Sequence, residues 1–227
     1  MRRLIIAIDG PAASGKSTTA KLLANKLGYV YLDTGAMYRA CALAALQQNI
    51  SHNDTLALNK MLQDIDIRIE YAPAENRVLL QDIDVTKRIR EEDMSRLSSD
   101  ISTLKPVREK MVDLQRKLGK EGGVVMDGRD IGTVVFPDAD LKFFMVATAE
   151  ARAHRRCEEL IAKGKEAVLS TVLKEMIERD KQDSTRALAP LKPADDAIMI
   201  DTTNLDIEQQ VAVIYGYITA KLADNQG

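Results

Sequence analysis

Residues 4–8 form a short unbroken apolar run, the pattern of a strand buried on both faces of a sheet. Four more runs of this kind follow at residues 29–32, 123–126, 141–146 and 197–200, and carboxylates stand at the ends of several of them: Asp9, Asp33, Asp127 and Asp201. Helical spacing fills the intervals. Ala20, Leu23, Ala24 and Leu27 recur at i, i+3, i+4 and i+7, and Gly28 supplies the stop. Pro106 opens a helix with Val107, Met111, Leu114 and Leu118 on one face, closed by Gly119. A last helix begins after Asp206 and carries Ile207, Val211, Ile214, Ile218 and Leu222. Buried strands alternating with helices predict an α/β chain with a five-stranded parallel sheet flanked by helices.

One segment departs from that rhythm. Ile65, Ile67, Ile69 and Tyr71 alternate with Asp66, Arg68 and Glu70, the signature of a half-buried strand. Residues 72–76 read as a turn and 77–81 as the returning strand. The segment from about 63 to 101 is therefore expected to be an insertion with a small antiparallel sheet.

Composition narrows the class of partner. In 227 residues, Lys and Arg number 32 against 34 Asp and Glu, a formal charge of -2, which disfavours a nucleic-acid polymer or an anionic membrane. Aromatic residues are 4% with no Trp, too few to build stacking platforms for single strands. Cys41 and Cys157 lie far apart, with no metal-ligand spacing, and a reducing compartment suits them. The opening apolar run stops at Asp9, short of a signal-peptide core, and no stretch is long enough to span a bilayer. These features predict a cytoplasmic protein, and the near-even charge permits the monomer that is expected.

Gly10-Pro11-Ala12-Ala13-Ser14-Gly15-Lys16-Ser17 matches G-x-x-x-x-G-K-[ST] and sits between a buried strand and a helix. Glycines let the backbone curl so that successive N–H groups face phosphate oxygens, and the helix N-terminus adds partial positive charge. Gly10 through Thr18 are the expected ATP-binding residues. Lys16 is read as a catalytic residue reaching the β- and γ-phosphates from a solvated loop, and Ser17 as a direct ligand of Mg²⁺. The base-reading Asn-Lys-x-Asp of a GTPase is absent, since Asn25-Lys26 continues Leu27-Gly28. A small phosphotransferase fits best.

Segments 33–39 and 127–133 follow the second and third buried strands, where loops line the ligand crevice of an open parallel sheet. Each brings an arginine, Arg39 and Arg129, the side chain that grips phosphate with paired hydrogen bonds. Asp127 and Asp9 each admit two readings: a carboxylate behind Mg²⁺, or one that caps a helix or pairs an arginine.

Taken with Asp33-Thr34-Gly35-Ala36-Met37-Tyr38-Arg39, Pro106-Val107-Arg108, Asp127-Gly128-Arg129-Asp130, Gly132-Thr133-Val134-Val135 and Arg179-x3-Asp183-x2-Arg186, the phosphate loop resembles that of the bacterial cytidylate kinases, and the likeness runs from Ile5 to the last helix. The resemblance implies a single kinase chain of P-loop NTPase type. Its core would cover about 1–62, 102–150 and 167–227, its nucleoside-monophosphate-binding insertion about 63–101, and a short lid about 151–166. It implies Mg²⁺-dependent transfer of the ATP γ-phosphoryl group to CMP or dCMP, giving CDP or dCDP. Carried over by position, Arg39 and Arg129 hold the acceptor phosphate, and Thr34, Arg108, Asp130 and Arg186 face the pyrimidine. Asp183 and Arg179 lie toward the sugar, Ser99 joins the CMP-binding set, and Arg129, Arg155 and Arg179 join Lys16 as catalytic residues.

The acceptor being already an oxyanion, this chemistry needs charge neutralisation and in-line placement, not a base. Of the basic run Arg152-Ala153-His154-Arg155-Arg156, Arg155 is read as a lid arginine touching the transferring group. Arg152 and Arg156 are read as a solvated face paired with Glu158 and Glu159, and His52 and His154 as exposed. Two alternatives stand beside this reading: a kinase for a small alcohol, with Asp33 as its base, and a non-catalytic nucleotide-binding regulator.

Overall fold

The computed structural model describes residues 3–72 and 76–224, with Glu92 described by its backbone only. The order of elements is β1 (Ile5–Asp9), α1 (Lys16–Leu27), β2 (Val30–Asp33), α2 (Thr34–Gln47), α3 (Thr55–Asp64), β3 (Ile67–Glu70), β4 (Arg77–Leu80), β5 (Ile83–Asp84), α4 (Glu92–Ile101), α5 (Lys105–Gly119), β6 (Val124–Gly128), β7 (Leu141–Val146), α6 (Ala149–Ala162), α7 (Leu169–Thr185), β8 (Ile198–Asp201) and α8 (Ile207–Asp224). A 3-10 turn at Arg88–Arg90 precedes α4, and a π-helical turn at Ile131–Val135 follows β6.

The five predicted strands form one parallel sheet in the order β2-β6-β1-β7-β8. Asp9 stands opposite Gly128, the last residue of β6, and opposite Phe144 of β7, which runs two residues further to Val146. On one side of the sheet Leu4, Ile6, Ile8, Val125, Phe143 and Met145 join Leu23 and Ala24 of α1 and Ile214 and Ile218 of α8 in a single buried cluster. The central strands β1 and β6, buried at every position, read as unbroken runs because both faces of the sheet are covered there. Gly28 ends α1 as expected, with φ 63° and its N–H donated back to the carbonyls of Ala24 and Asn25.

The chain packs as two units, Met1–Leu32 with Gly122–Gly227, and Asp33–Glu121. The first carries the parallel sheet with α1, α6, α7 and α8. The second carries α2 to α5 and a three-stranded sheet, β3-β4-β5. It is wider than the 63–101 insertion read from the pattern, because α2 packs against α4, α5, β4 and the 3-10 turn. The alternating hairpin is present, with Ile67 opposite Leu80 and Ile69 opposite Val78. The expected turn at 72–76 falls partly on residues 73–75, which lie outside the described residues. A third strand, β5, went unpredicted. It is two residues long, and Gln81 and Asp82, both at positive φ (50° and 67°), form the tight turn into it.

Segments 33–39 and 127–133 are corrected from open loops. Asp33 is an N-cap whose Oδ1 accepts the Ala36 N–H at 2.8 Å, so α2 starts at once with Thr34 and places Arg39 on a helix. The apolar residues of α2 (Ala36, Met37, Ala40, Cys41 and onward to Ala45) are buried all round, which is why no amphipathic stripe announced it.

Candidate active site

The phosphate loop leaves β1 through Gly10 at φ 152°, where a Cβ would stand 2.3 Å from the Met145 carbonyl oxygen. Only glycine fits there. Ala13 adopts φ 56° and Gly15 φ 95°, and the curl between them is tied from within. The Pro11 carbonyl accepts Ser14 Oγ at 3.0 Å and Lys16 Nζ at 2.9 Å. Thr202, fully buried after β8, brings its hydroxyl to 2.9 Å from the Ser14 carbonyl.

Lys16 is 5% exposed, which corrects the expectation of a solvated loop residue. It opens α1 beneath the loop. Burial pushes its ammonium down to about 7; Arg129 and Arg179 add to this, while Asp127 and Asp183 oppose it. A cation under such pressure is a receptor for anionic charge.

Asp127 accepts from Ser17 Oγ at 2.6 Å and from Tyr31 Oη at 2.8 Å. It stands beside the hydroxyl named as a magnesium ligand. The pair offers hard oxygen donors of the kind Mg²⁺ takes when phosphates and waters complete its shell. Asp9 resolves the other way. Both its oxygens accept backbone N–H groups, Ile131 at 2.9 Å and Gly132 at 2.8 Å, so it caps the π-helical turn. Burial raises its carboxyl to about 7 against the pull of those two amides.

Beyond the turn's N-terminal side stands a group of three arginines and two carboxylates. Arg129 Nε donates to Asp183 Oδ2 at 2.9 Å. Arg186 Nη2 lies 3.6 Å from Asp130 Oδ1, and its Nη1 4.0 Å from Asp183 Oδ1. Burial works to raise the Asp183 carboxyl, but Arg129, Arg179 and Arg186 together outweigh it and hold it below the usual range. The unit thus brings together Lys16, Ser17, Asp127, Arg129, Asp130, Arg179, Asp183 and Arg186, of which Arg179, Asp183 and Arg186 were expected only from the family resemblance.

In the unit 33–121 the expected acceptor residues are Thr34, Arg39, Ser99 and Arg108. Thr34 is buried in the first turn of α2, and Arg39 Nη2 donates to Asp33 Oδ2 at 2.9 Å. The Ser99 hydroxyl is buried with no hydrogen bond among the described residues. Arg108 is 5% exposed, with its guanidinium 5.8 Å from the Tyr38 ring centre and Nη1 donating to the Ser102 carbonyl at 3.3 Å.

The basic run on α6 differs most from expectation. Arg156 pairs with Glu159 at 2.8 Å and His154 is exposed, as read. Arg155, expected at the transferring group, is instead occupied by the 202–205 segment: its guanidinium donates to the Thr202 hydroxyl and to the carbonyls of Thr202, Thr203 and Leu205. Arg152, expected on a solvated face, is buried against the phosphate loop. Thr202 carried no motif signal at all.

A phosphate loop on the first strand of a parallel sheet, above a buried lysine and beside a cluster of arginines, defines a P-loop phosphotransferase. A structure from Eubacterium ventriosum, of an uncharacterised protein, shares the fold at 16% identity and a TM-score of 0.52, covering 96% of this chain and 99% of that one. Cytidylate kinases of Caldicellulosiruptor saccharolyticus and Streptococcus mutans are 53% and 50% identical over 209 residues, spanning 92% and 91% of this chain and 92% of each relative. That of Chloroherpeton thalassium is 50% identical over 225 residues, or 96% of this chain and 94% of its own. The cytidylate kinase family model matches residues 6–220, and the chain belongs to that family. It is a nucleotide-using kinase; neither the alcohol-kinase nor the regulator alternative gains support.

Proposed function

We propose that the protein transfers the γ-phosphoryl group of ATP to CMP or dCMP, yielding ADP and CDP or dCDP. The observation that carries this is the buried Lys16 among Arg129 and Arg179, directly under a phosphate loop. Such a cluster of cations fits transfer between two phosphates, whose mutual repulsion is the main obstacle. The loop's N–H groups and Lys16 would hold the ATP phosphates. Arg129 and Arg39 would hold the acceptor phosphate, with Arg179 neutralising charge as it develops.

Ser17, with Asp127 behind it, would hold Mg²⁺, which when bound draws charge from the phosphate oxygens. Thr34, Ser99, Arg108, Asp130 and Arg186 are assigned to the cytosine, and Asp183 to the sugar. Cytosine carries an amino donor where uracil has a carbonyl, so a carboxylate such as Asp130 discriminates between them. Segments 63–101 and 151–166 are assigned to acceptor binding and to the lid. None of the described helices is long and apolar enough to cross a membrane; we take the protein to act in the cytosol as a monomer.

An ADP-release assay across the nucleoside monophosphates tests the reading. CMP and dCMP should be turned over, with UMP well behind. Activity only with an alcohol acceptor, or none with any monophosphate, overturns it, and light scattering tests the monomer.

A further inference from the structure

Arg152 spends its whole guanidinium on three partners from three places in the chain. Nε donates to the Ala147 carbonyl at 3.0 Å, Nη1 to the Ala12 carbonyl at 3.3 Å, and Nη2 to Asp180 Oδ2 of α7 at 2.5 Å. The residue is 4% exposed. Around it Ala153, Cys157, Val172 and Met176 of α6 and α7 form an apolar cluster on which Ala12 and Ala13 rest. A single polar pin therefore joins the outside of the phosphate loop to the α6–α7 pair.

The pin falls on the one peptide where it matters most. Ala13 is the loop's non-glycine residue in the left-handed region, at φ 56°, a conformation in which a Cβ crowds the backbone. In a trans peptide, C=O and N–H point in opposite directions. Holding the Ala12 carbonyl toward Arg152 thus turns the Ala13 N–H the other way. We propose that Arg152 is a positioning residue for donor binding: by fixing the Ala12–Ala13 peptide, it presets the phosphate loop in its anion-receiving conformation. Lysine, with one ammonium on a flexible stem, cannot span the three acceptors.

This rests on the phosphate loop binding the donor nucleotide, as proposed above, and calorimetry with ADP and separately with CMP tests the two apart. Wild-type protein that binds no ADP overturns the reading of the loop itself. With wild-type binding intact, Arg152→Met should weaken ADP about tenfold or more, and Arg152→Lys by a smaller factor, with CMP within twofold in both. Asp180→Asn, which keeps the carbonyl bond and lowers only the ionic support, should stay within threefold for ADP even if its Tm falls. The decisive variant adds Ala13→Gly to Arg152→Met. Glycine enters the left-handed region without the Cβ cost, so the double variant should recover at least threefold in ADP affinity. No recovery, an equal loss of ADP and CMP binding, or a loss in Asp180→Asn as large as in Arg152→Met overturns the proposal. Should Arg152→Met fail to fold, Arg152→Lys with and without Ala13→Gly gives the same comparison.

Discussion

Arg129 and Asp183 face each other at 2.9 Å, Nε to Oδ2, with the carboxylate side chain only 7% exposed. The bond holds the arginine's remaining edge in place for an anion, and it holds Asp183 ionised. Neither residue is conspicuous alone. Together they make a preset charge pair that keeps its cation oriented without a ligand.

Arg129→Ala removes the acceptor-phosphate contact and one of three cations around Asp183. The CMP KM should rise at least tenfold, while the Kd of an ATP analogue moves less than threefold. Stability should fall by about 1–3 kcal/mol, the cost of a buried carboxylate losing a charged partner. An equal loss at both nucleotides would mean that Arg129 bridges donor and acceptor.

Lys16 carries a pH signature. Its folded value of about 7 lies below the unfolded 10.5, so between them the native state binds fewer protons than the unfolded one. Stability from this group therefore rises with pH across that window, and the penalty is full below about pH 7. Lys16→Met removes the penalty: at pH 6.5, a value chosen at roughly the lower edge of the window, its Tm should equal or exceed the wild type's, while kcat drops about a hundredfold or more. Bound phosphates favour the charged ammonium, so wild-type ADP binding near pH 8 should take up a proton, up to about one. Calorimetry in buffers of different ionisation enthalpy reads this directly, and heats independent of buffer would contradict it.

The fold was largely legible because the chain obeys two simple periods. Strands buried on both faces read as unbroken apolar runs, and Gly28, Pro106 and Asp206 punctuated three helices. What escaped did so for physical reasons. Helix α2 is buried all round, and β5 is too short to show a period. The motif residues Lys16, Asp127 and Arg129 were identifiable from their places after buried strands, and Asp183 only through the family resemblance, yet neither says anything of burial, so Lys16 was misplaced in solvent. Arg152, Arg155 and Arg156 share a helix and a residue type. Only tertiary packing decides that the first meets the phosphate loop, the second the 202–205 carbonyls and the third Glu159.

Asp9→Asn tests the capped turn. An amide side chain has one acceptor oxygen for two N–H groups and sets its own NH₂ against the second. The variant should lose about 1–3 kcal/mol and activity with it, since the turn follows Arg129 and Asp130 directly. The wild-type carboxyl is raised from 3.8 to about 7, so the native state holds the extra proton in that window. Its contribution is full below about pH 4 and is lost as pH rises through about 7. The stability gap between wild type and Asp9→Asn should therefore narrow from pH 4.5 to 7.5, two values set within or about half a unit beyond that window. A gap that widens in urea titrations would reverse the assignment.

Arg108 separates base reading from phosphate binding. It is buried on α5, over the Tyr38 ring, with Nη1 given to the Ser102 carbonyl. If its guanidinium also donates to the cytosine acceptors, Arg108→Met removes a base contact and no phosphate contact. One charged hydrogen bond is worth about 1.5–3 kcal/mol, or roughly ten- to a hundredfold in kcat/KM for CMP. UMP, already a poor fit, should lose less, so the CMP:UMP preference narrows. A purely structural role, resting on the Ser102 bond and the Tyr38 contact, predicts a lowered Tm and the same fractional loss for both nucleotides. Both substrates assayed on one preparation beside a thermal melt distinguish the two, and an unchanged CMP:UMP ratio takes Arg108 out of the base-reading set.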